Sequence, residues 1–246
     1  MKKEKTITVR RQKIQPDRTK KRLCFFVFLT ALLLLTVVFA EQICPYDPNA
    51  QDTGAALLPP GAGHLAGTDR FGRDMLSRIL VGLKTSVTST LILVVVVTVT
   101  GSILGLICGY FGGIADTVIM RVSDICLAFP GLVFAMAIAA LLNGGISNAV
   151  LALALISWPK YARIARSQTL TVKNTNYMAA SQLAGCTAAQ MIWRHILPNI
   201  AGPILVTSML DIGTMMMELA GLSFLGLGAQ PPTAELGNMM SGGRSM

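Results

Sequence analysis

Asp211 and Glu218 are the residues best placed to do chemistry. They are the only charged side chains between Ile200 and Gly228, and seven residues apart they project from nearly the same face of a helix. An ionisable group at membrane depth costs about 2.5 to 3.5 kcal/mol on insertion scales, so each must face a partner or a water-filled path. Two readings stay open: the carboxylates line a passage for a cation or cationic chelate, with Met215 beside them, or each pairs with a neighbouring helix. Met215, Met216 and Met217 would be soft metal ligands, but three consecutive residues point three ways round a helix, which suits packing or lipid contact better. His64 and His195 fall in loops on opposite sides of the chain's topology and cannot share a metal, so no metal ligand is assigned. Cys24, Cys44, Cys108, Cys126 and Cys186 show no CxxC pairing and read as small buried or lipid-facing thiols. Gly82-Leu-Lys84-Thr85 lacks the glycine that a phosphate loop needs before its lysine. With no Ser-His-Asp set and no HExxH, the chain has no catalytic residues and no cofactor site of its own.

The other informative stretch is the polar interlude 161–199. It reads as two short helices end to end. Asn176 can accept from the N–H groups of the next turn, and Gly185 can take the left-handed conformation that closes a helix. Thr187 with Gln190 resembles a capping box that starts a second helix at once, and Pro198 is expected to stop it after Leu197. So well specified a loop between apolar segments is a docking surface rather than a tether.

The elements that position these residues are membrane helices. Hydrophobic residues make up 52% of the 246 and charged ones 13%, at a mean hydropathy of +0.59, outside the soluble range. The net charge of +9 does not mark a nucleic-acid binder, because ten of the 21 Lys and Arg residues fall in positions 1–22 and aromatics are 6%. That segment reads as a basic cytoplasmic anchor, followed by a first span at 23–40. A cleaved signal peptide is the rival there, but no small-x-small site precedes Glu41.

Residues 41–84 read as an extracytoplasmic loop. Its amphipathic surface helix is capped by Thr68 or Asp69 and carries Phe71, Met75, Ile79 and Leu83 on one stripe. A transmembrane core follows at 85–228. Its second span, from residue 85, ends in the turn Gly109 to Gly113, and the third is 125–142. The fourth runs from 149 to about 163, with Trp158 and Tyr161 at headgroup level and Lys160 stretching to the interface. After the loop 161–199 comes the fifth, 200–228, and then an extracytoplasmic remnant, 229–246. The fold class is therefore all-α and polytopic, with five predicted transmembrane helices. An inside amino terminus puts sixteen basic residues on cytoplasmic segments and four on outer ones, a positive-inside bias that makes the 161–199 loop cytoplasmic.

A cytoplasmic loop of two short helices in such a protein resembles that of the permease subunits of ABC importers. Their pattern is Glu-Ala-Ala, three residues, Gly, nine residues, Ile-x-Leu-Pro. Here Ala179, Ala180 and Ser181 take the first positions, Gly185 the glycine, and His195, Ile196, Leu197 and Pro198 the end. Ala179 replaces the usual Glu at what reads as N3 of the first short helix, so docking is expected mainly through shape and apolar contact. Gly67-Thr-Asp-Arg-Phe-Gly-Arg-Asp74, Gly109-Tyr-Phe-Gly-Gly113, Tyr161-Ala-Arg163 and Leu222-Ser-Phe-Leu-Gly-Leu-Gly228 with Pro231-Pro232 are similar to the second, or "C", permease of the dipeptide, oligopeptide and nickel branch. Leu210-Asp-Ile-Gly-Thr-Met-Met216 and Thr233-Ala-Glu235 look more like the nickel permeases.

The resemblance implies a multi-pass subunit in a bacterial inner membrane that moves nickel or a nickel chelate. A dipeptide or oligopeptide cargo is the alternative. Its implied partners are a homologous permease, membrane lipid, an extracytoplasmic solute-binding protein and cytoplasmic ATPase subunits that use the ATP. The ATPase would grip Asn176, Tyr177, Ala179, Ala180, Ser181, Gly185 and the His195–Pro198 end. Such permeases usually have a sixth span, and a chain ending at Met246 is expected to be a fragment or truncated variant. A transport-inactive scaffold or receptor subunit is the reading from another class.

Overall fold

A computed structural model describes residues 16–244, with side chains from residue 20. Most of the basic segment 1–22 and the last two residues of 229–246 lie outside the described residues. Among the described residues the regular structure is helical, with a single bridge between Thr68 and Asp74. Three helical stretches are long and apolar enough to cross a membrane, 20–38, 75–111 and 188–224, and a bent pair makes a fourth if counted as one.

Helix α1 (Pro16–Val38) carries the first predicted span and leaves most of its apolar residues uncovered. It meets the rest of the chain near Val37 and, in the short α2 (Ala40–Ile43), through the buried Ala40. The loop that follows folds back over the start of α3 (Met75–Phe111), where the Tyr46 N–H donates to Ser77 Oγ at 3.1 Å and Arg78 to the Pro48 carbonyl at 2.9 Å. Asp74 caps α3, accepting from the Ser77 N–H at 2.8 Å and hydroxyl at 2.7 Å. The predicted surface helix from Thr68 or Asp69 is not formed. Asp69 instead bonds the N–H groups of Phe71 and Arg73 and the Arg73 guanidinium, at 2.8, 3.0 and 2.7 Å. The turn passes through Gly72 at φ +71°, where a Cβ would overlie the Asp52 carbonyl. The residues assigned to the rest of that helix, from Met75 on, open the second span, so the two expected elements are one.

Burial alone would raise the carboxyl of Asp69. The N–H groups of Arg73 and Phe71 and the Arg73 guanidinium outweigh it and hold the group below its ordinary value. Asp74 is lowered likewise, against the pull of burial, by the Ser77 hydroxyl and N–H and by His64.

Helix α3 ends at Gly112, not Gly109, and the chain turns through Gly112 and Gly113 at φ +66° and +64°. The predicted third span is broken. Helices α4 (Gly113–Ala128) and α5 (Gly131–Leu141) meet at 94°, because Phe129 is extended, as a residue before proline prefers, and Pro130 cannot donate to the helix. Helix α6 (Ile146–Lys173) holds the predicted fourth span and continues ten residues beyond Arg163. Its Pro159 lies inside the helix, so the polar interlude begins at Asn174 rather than Tyr161.

Helices α3 and α6 pack along a ladder of small residues. Gly101, Gly105 and Gly109 follow at intervals of four. A Cβ on Gly105 would lie 2.2 Å from the Ala162 carbonyl oxygen and 2.8 Å from the Ala165 Cβ, and one on Gly109 2.7 Å from the Thr169 Cβ. Backbones approach this closely in membranes because lipid offers no hydrophobic drive and close packing must supply the association. The ladder puts Tyr161 at the centre of the molecule, fully buried.

Candidate functional sites: an exposed helical loop and a charged cavity

Helix α7 (Asn176–Leu183) begins one residue earlier than expected. Thr175 is the extended N-cap residue, with no side-chain cap bond, so Asn176 is the first helical residue and does not cap, and Ala179 lies one place beyond N3. The end is as expected. Gly185 at φ +85° closes the helix, with its own N–H on the Gln182 carbonyl at 3.0 Å and that of Cys186 on Ser181 at 3.2 Å. Thr187 and Gln190 form the capping box at the start of α8 (Ala188–Gln190).

Pro198 does not stop the chain. A wider π-helical turn, Met191–Ile196, leads without a break into α9 (Leu197–Phe224), and its looser winding takes up the missing N–H and the bulk of the proline ring. The second half of the loop and the fifth span are thus one continuous helical stretch, 188–224.

The loop has two faces. Met178, Met191 and Ile196 are buried and join it to the core. Tyr177 is exposed, its hydroxyl accepting from Asn199 at 3.1 Å and its ring 6.1 Å from His195. Asn176, Ala179, Ala180, Gly185 and Pro198 are exposed, whereas Ser181, His195 and Leu197 are half-buried. Sequence reasoning missed the two strongest apolar features, Leu183 at 90% and Trp193 at 70% exposure. A signal existed for Leu183, a large apolar residue with only Ala179, Ala180, Cys186 and Thr187 three or four residues away; Trp193, followed by Ile196 and Leu197 at helical spacing, gave none. Ala179 lines a hollow of about 300 Å³ with Tyr110, Lys173, Met178, Gln182 and Met191. Lys173 spans its edge, donating to the Tyr110 carbonyl at 2.6 Å.

Asp211 lies in the middle of α9 and is 6% exposed. Lys160 Nζ reaches both of its oxygens at 2.7 Å, and the Tyr161 hydroxyl donates to Oδ2 at 2.9 Å. Tyr161 is fully buried rather than set at headgroup level, and the half-exposed Lys160 turns its ammonium to Asp211. A carboxylate buried among helices draws both inward, because two charges satisfied by each other cost less there than one left alone. Asp211 therefore has a helix partner, the second of the readings open for it. Glu218, seven residues or about two turns beyond Asp211 on the same face, has no ion pair among the described residues.

Both carboxylates and the buried Met215 line one cavity of about 180 Å³, with Lys160, Thr214 and Cys126. Met217 is 74% exposed and points away. The break between α4 and α5 forms one wall, through Leu127, Phe129 and Gly131. Among the described residues no three His, Cys, Asp or Glu side chains converge to hold a metal. On the second half of α6, Arg166 makes a two-pronged pair with Asp116 of α4, with Nη2 at 2.6 Å, and Arg163 reaches Asp124 at 2.7 Å. Glu235, a further buried carboxylate, accepts from Ser86 at 3.0 Å and caps α10 (Leu236–Gly243). Sequence reasoning gave Glu235 no such structural part.

A family model described as "Binding-protein-dependent transport system inner membrane component" matches residues 101–244. The chain is 44% identical over 217 residues to a probable D,D-dipeptide transport system permease protein of Escherichia coli (strain K12), covering 88% of this chain and 73% of that one. It is 40% identical over 224 residues to a dipeptide transport system permease of Haemophilus influenzae, with 89% and 76% covered. To the nickel transport system permease of Escherichia coli (strain K12) it is 36% identical over 218 residues, with 89% and 79% covered.

Proposed function

This chain belongs to the binding-protein-dependent inner-membrane transport components, the permease subunits of ABC importers, and on that premise we propose that it is one half of an importer of short peptides. It is a transport subunit and not an enzyme, since ATP hydrolysis in this family belongs to separate ATPase subunits. In our reading the amino terminus is cytoplasmic, and an ATPase seats on the exposed face from Asn176 through Gly185 to Pro198. The observation that carries this is the two-faced loop, whose buried Met178 and Ile196 tie it to the core while Leu183 and Trp193 stand uncovered. Uncovered apolar residues on a capped, rigid element mark a protein contact. Docking through shape and apolar surface suits a helix with Ala179 where a glutamate is usual. A homologous permease would complete the pathway, and an extracytoplasmic binding protein would deliver the cargo.

The peptide reading is favoured over nickel by the relatives, two of whose dipeptide members share 40% and 44% with this chain against 36% for the nickel permease. Nickel stays as the second reading because of Leu210-Asp-Ile-Gly-Thr-Met-Met216. Reconstitution with the partner subunits, followed by ATP-dependent uptake of a D,D-dipeptide, an L-dipeptide and nickel, tests both. Peptide uptake with nickel no better than the ATP-free control is expected. Nickel uptake without peptide uptake would overturn the choice.

A further inference from the structure

The cavity between α6, α9 and the α4–α5 break divides its charges unequally. Lys160 is committed to Asp211 at 2.7 Å on both oxygens, and Tyr161 takes a further bond on Oδ2. These groups cancel one another and tie α6 to α9. Glu218 lines the same cavity with no ion pair among the described residues, beside the hydroxyls of Ser157 and Thr214. The cavity therefore holds two carboxyl groups against one ammonium, walled by Leu127, Phe129, Leu153 and Ile156. The last turn of α4 ends at this wall, in the extended Phe129 before Pro130.

We propose that Glu218 is the cargo-contacting group of this cavity and receives a primary ammonium, the free amino end of a peptide, while Asp211 and Lys160 only hold the wall. The inference rests on the transport reading above and refines it: sequence alone left both a passage role and a helix partner open for Asp211 and for Glu218. An ammonium needs one carboxylate and a few neutral acceptors, which this cavity has. A bare metal ion needs several converging ligands, which among the described residues it lacks.

Cys126 lines the cavity and supplies a reporter. In the assembled importer, with Cys24, Cys44, Cys108 and Cys186 replaced by serine, the modification rate of Cys126 is measured with an aminoethyl and a sulfonatoethyl methanethiosulfonate, each scaled to its rate with a free thiol. A cleft of one sign raises the local concentration of the opposite charge tenfold or more. The cationic reagent is thus expected to be favoured by about tenfold, E218Q to bring the ratio within about twofold of the free thiol, and E218D to keep it. Glycinamide should slow the cationic reagent in the wild type and not in E218Q, whereas nickel chloride at the same concentration should not slow it. Equal ratios in wild type and E218Q, or no modification of Cys126 at all, would overturn the proposal. Peptide uptake is measured on the same preparations. Charge-selective labelling without uptake would sink the transport reading and leave the ammonium site standing, and uptake with unselective labelling would do the reverse.

Discussion

Replacing Lys160 by Met tests whether the α6–α9 pair holds the core together. The change removes two of the three hydrogen bonds on Asp211, leaving a 6% exposed carboxylate with the Tyr161 hydroxyl alone. Removing one partner of a buried pair costs about 3 to 5 kcal/mol. The Lys160 side chain is half-exposed at 50%, and solvent screening lowers the figure to about 2 to 3 kcal/mol. For a chain of this size that corresponds to roughly 4 to 12 °C in Tm. D211N should cost less, about 1 to 2 kcal/mol, because the amide stays neutral and can still bond Tyr161. The double variant K160M/D211N should be no worse than K160M alone, a coupling of at least about 1 kcal/mol in a double-mutant cycle. Thermal unfolding of the purified chain in detergent, followed by tryptophan fluorescence, measures all four corners. Strictly additive losses would refute the pairing as a stabilising contact and return Asp211 to the pathway.

The α3–α6 ladder predicts that G105L disrupts the fold. Its Cβ would press on the Ala162 backbone, which cannot rotate away, at a cost above the usual 1 to 3 kcal/mol of overpacking. G221A in α9, where nothing lies within 4 Å of the new Cβ, should be neutral or slightly stabilising, and yields of folded protein compare the two. On the loop, the double change L183E/W193E should abolish association with the ATPase in a pull-down while leaving Tm within about 2 °C, since both residues are exposed; retained association would remove this face from the interface. Asp69 has a folded pKa below its ordinary value of 3.8, so its stabilising contribution is complete above that value and is lost as pH falls through the folded pKa. The Tm gap between wild type and D69N should then be constant above about pH 5 and close below pH 4; a gap that widened on acidification would show the sign to be wrong.

Composition made the all-helical membrane class legible, and four long uncharged runs marked out the apolar helices. What the sequence hid was continuity. Pro130 breaks a span that hydropathy drew as one, because a window average counts Phe129-Pro130 as apolar and says nothing of the donor that proline lacks. Pro198 sits where a stop was expected, yet the π turn before it carries the helix through, a choice of winding that no residue pattern advertised. The same blindness put the start of the loop at Tyr161. Charges at Arg163, Arg166 and Lys173 looked like solvent-facing residues, whereas two of them are met by Asp124 and Asp116 of the neighbouring helix and the third by the Tyr110 carbonyl.

The caps of the loop were readable because they are local: Gly185, Thr187 and Gln190 act on residues within five positions of themselves. The carboxylates were readable as anomalies but not as partners, because the lysine that meets Asp211 lies 51 positions away and looked fit for an interface of its own. That distinction bears on what α9 can do. It is anchored at Ile196 beneath the loop and at Asp211 against α6, fifteen residues or about 22 Å apart, with Pro198 in the first turn of α9 and Pro203 the one proline inside the helix between that turn and the pair. A shift of the loop face cannot be absorbed by a flexible joint at Pro198, as a stopped helix would allow. It must either bend α9 at Pro203 or move Asp211 against Lys160, so the resistance of that pair, measured by the double-mutant cycle, also sets how stiffly the exposed loop and the charged cavity are joined.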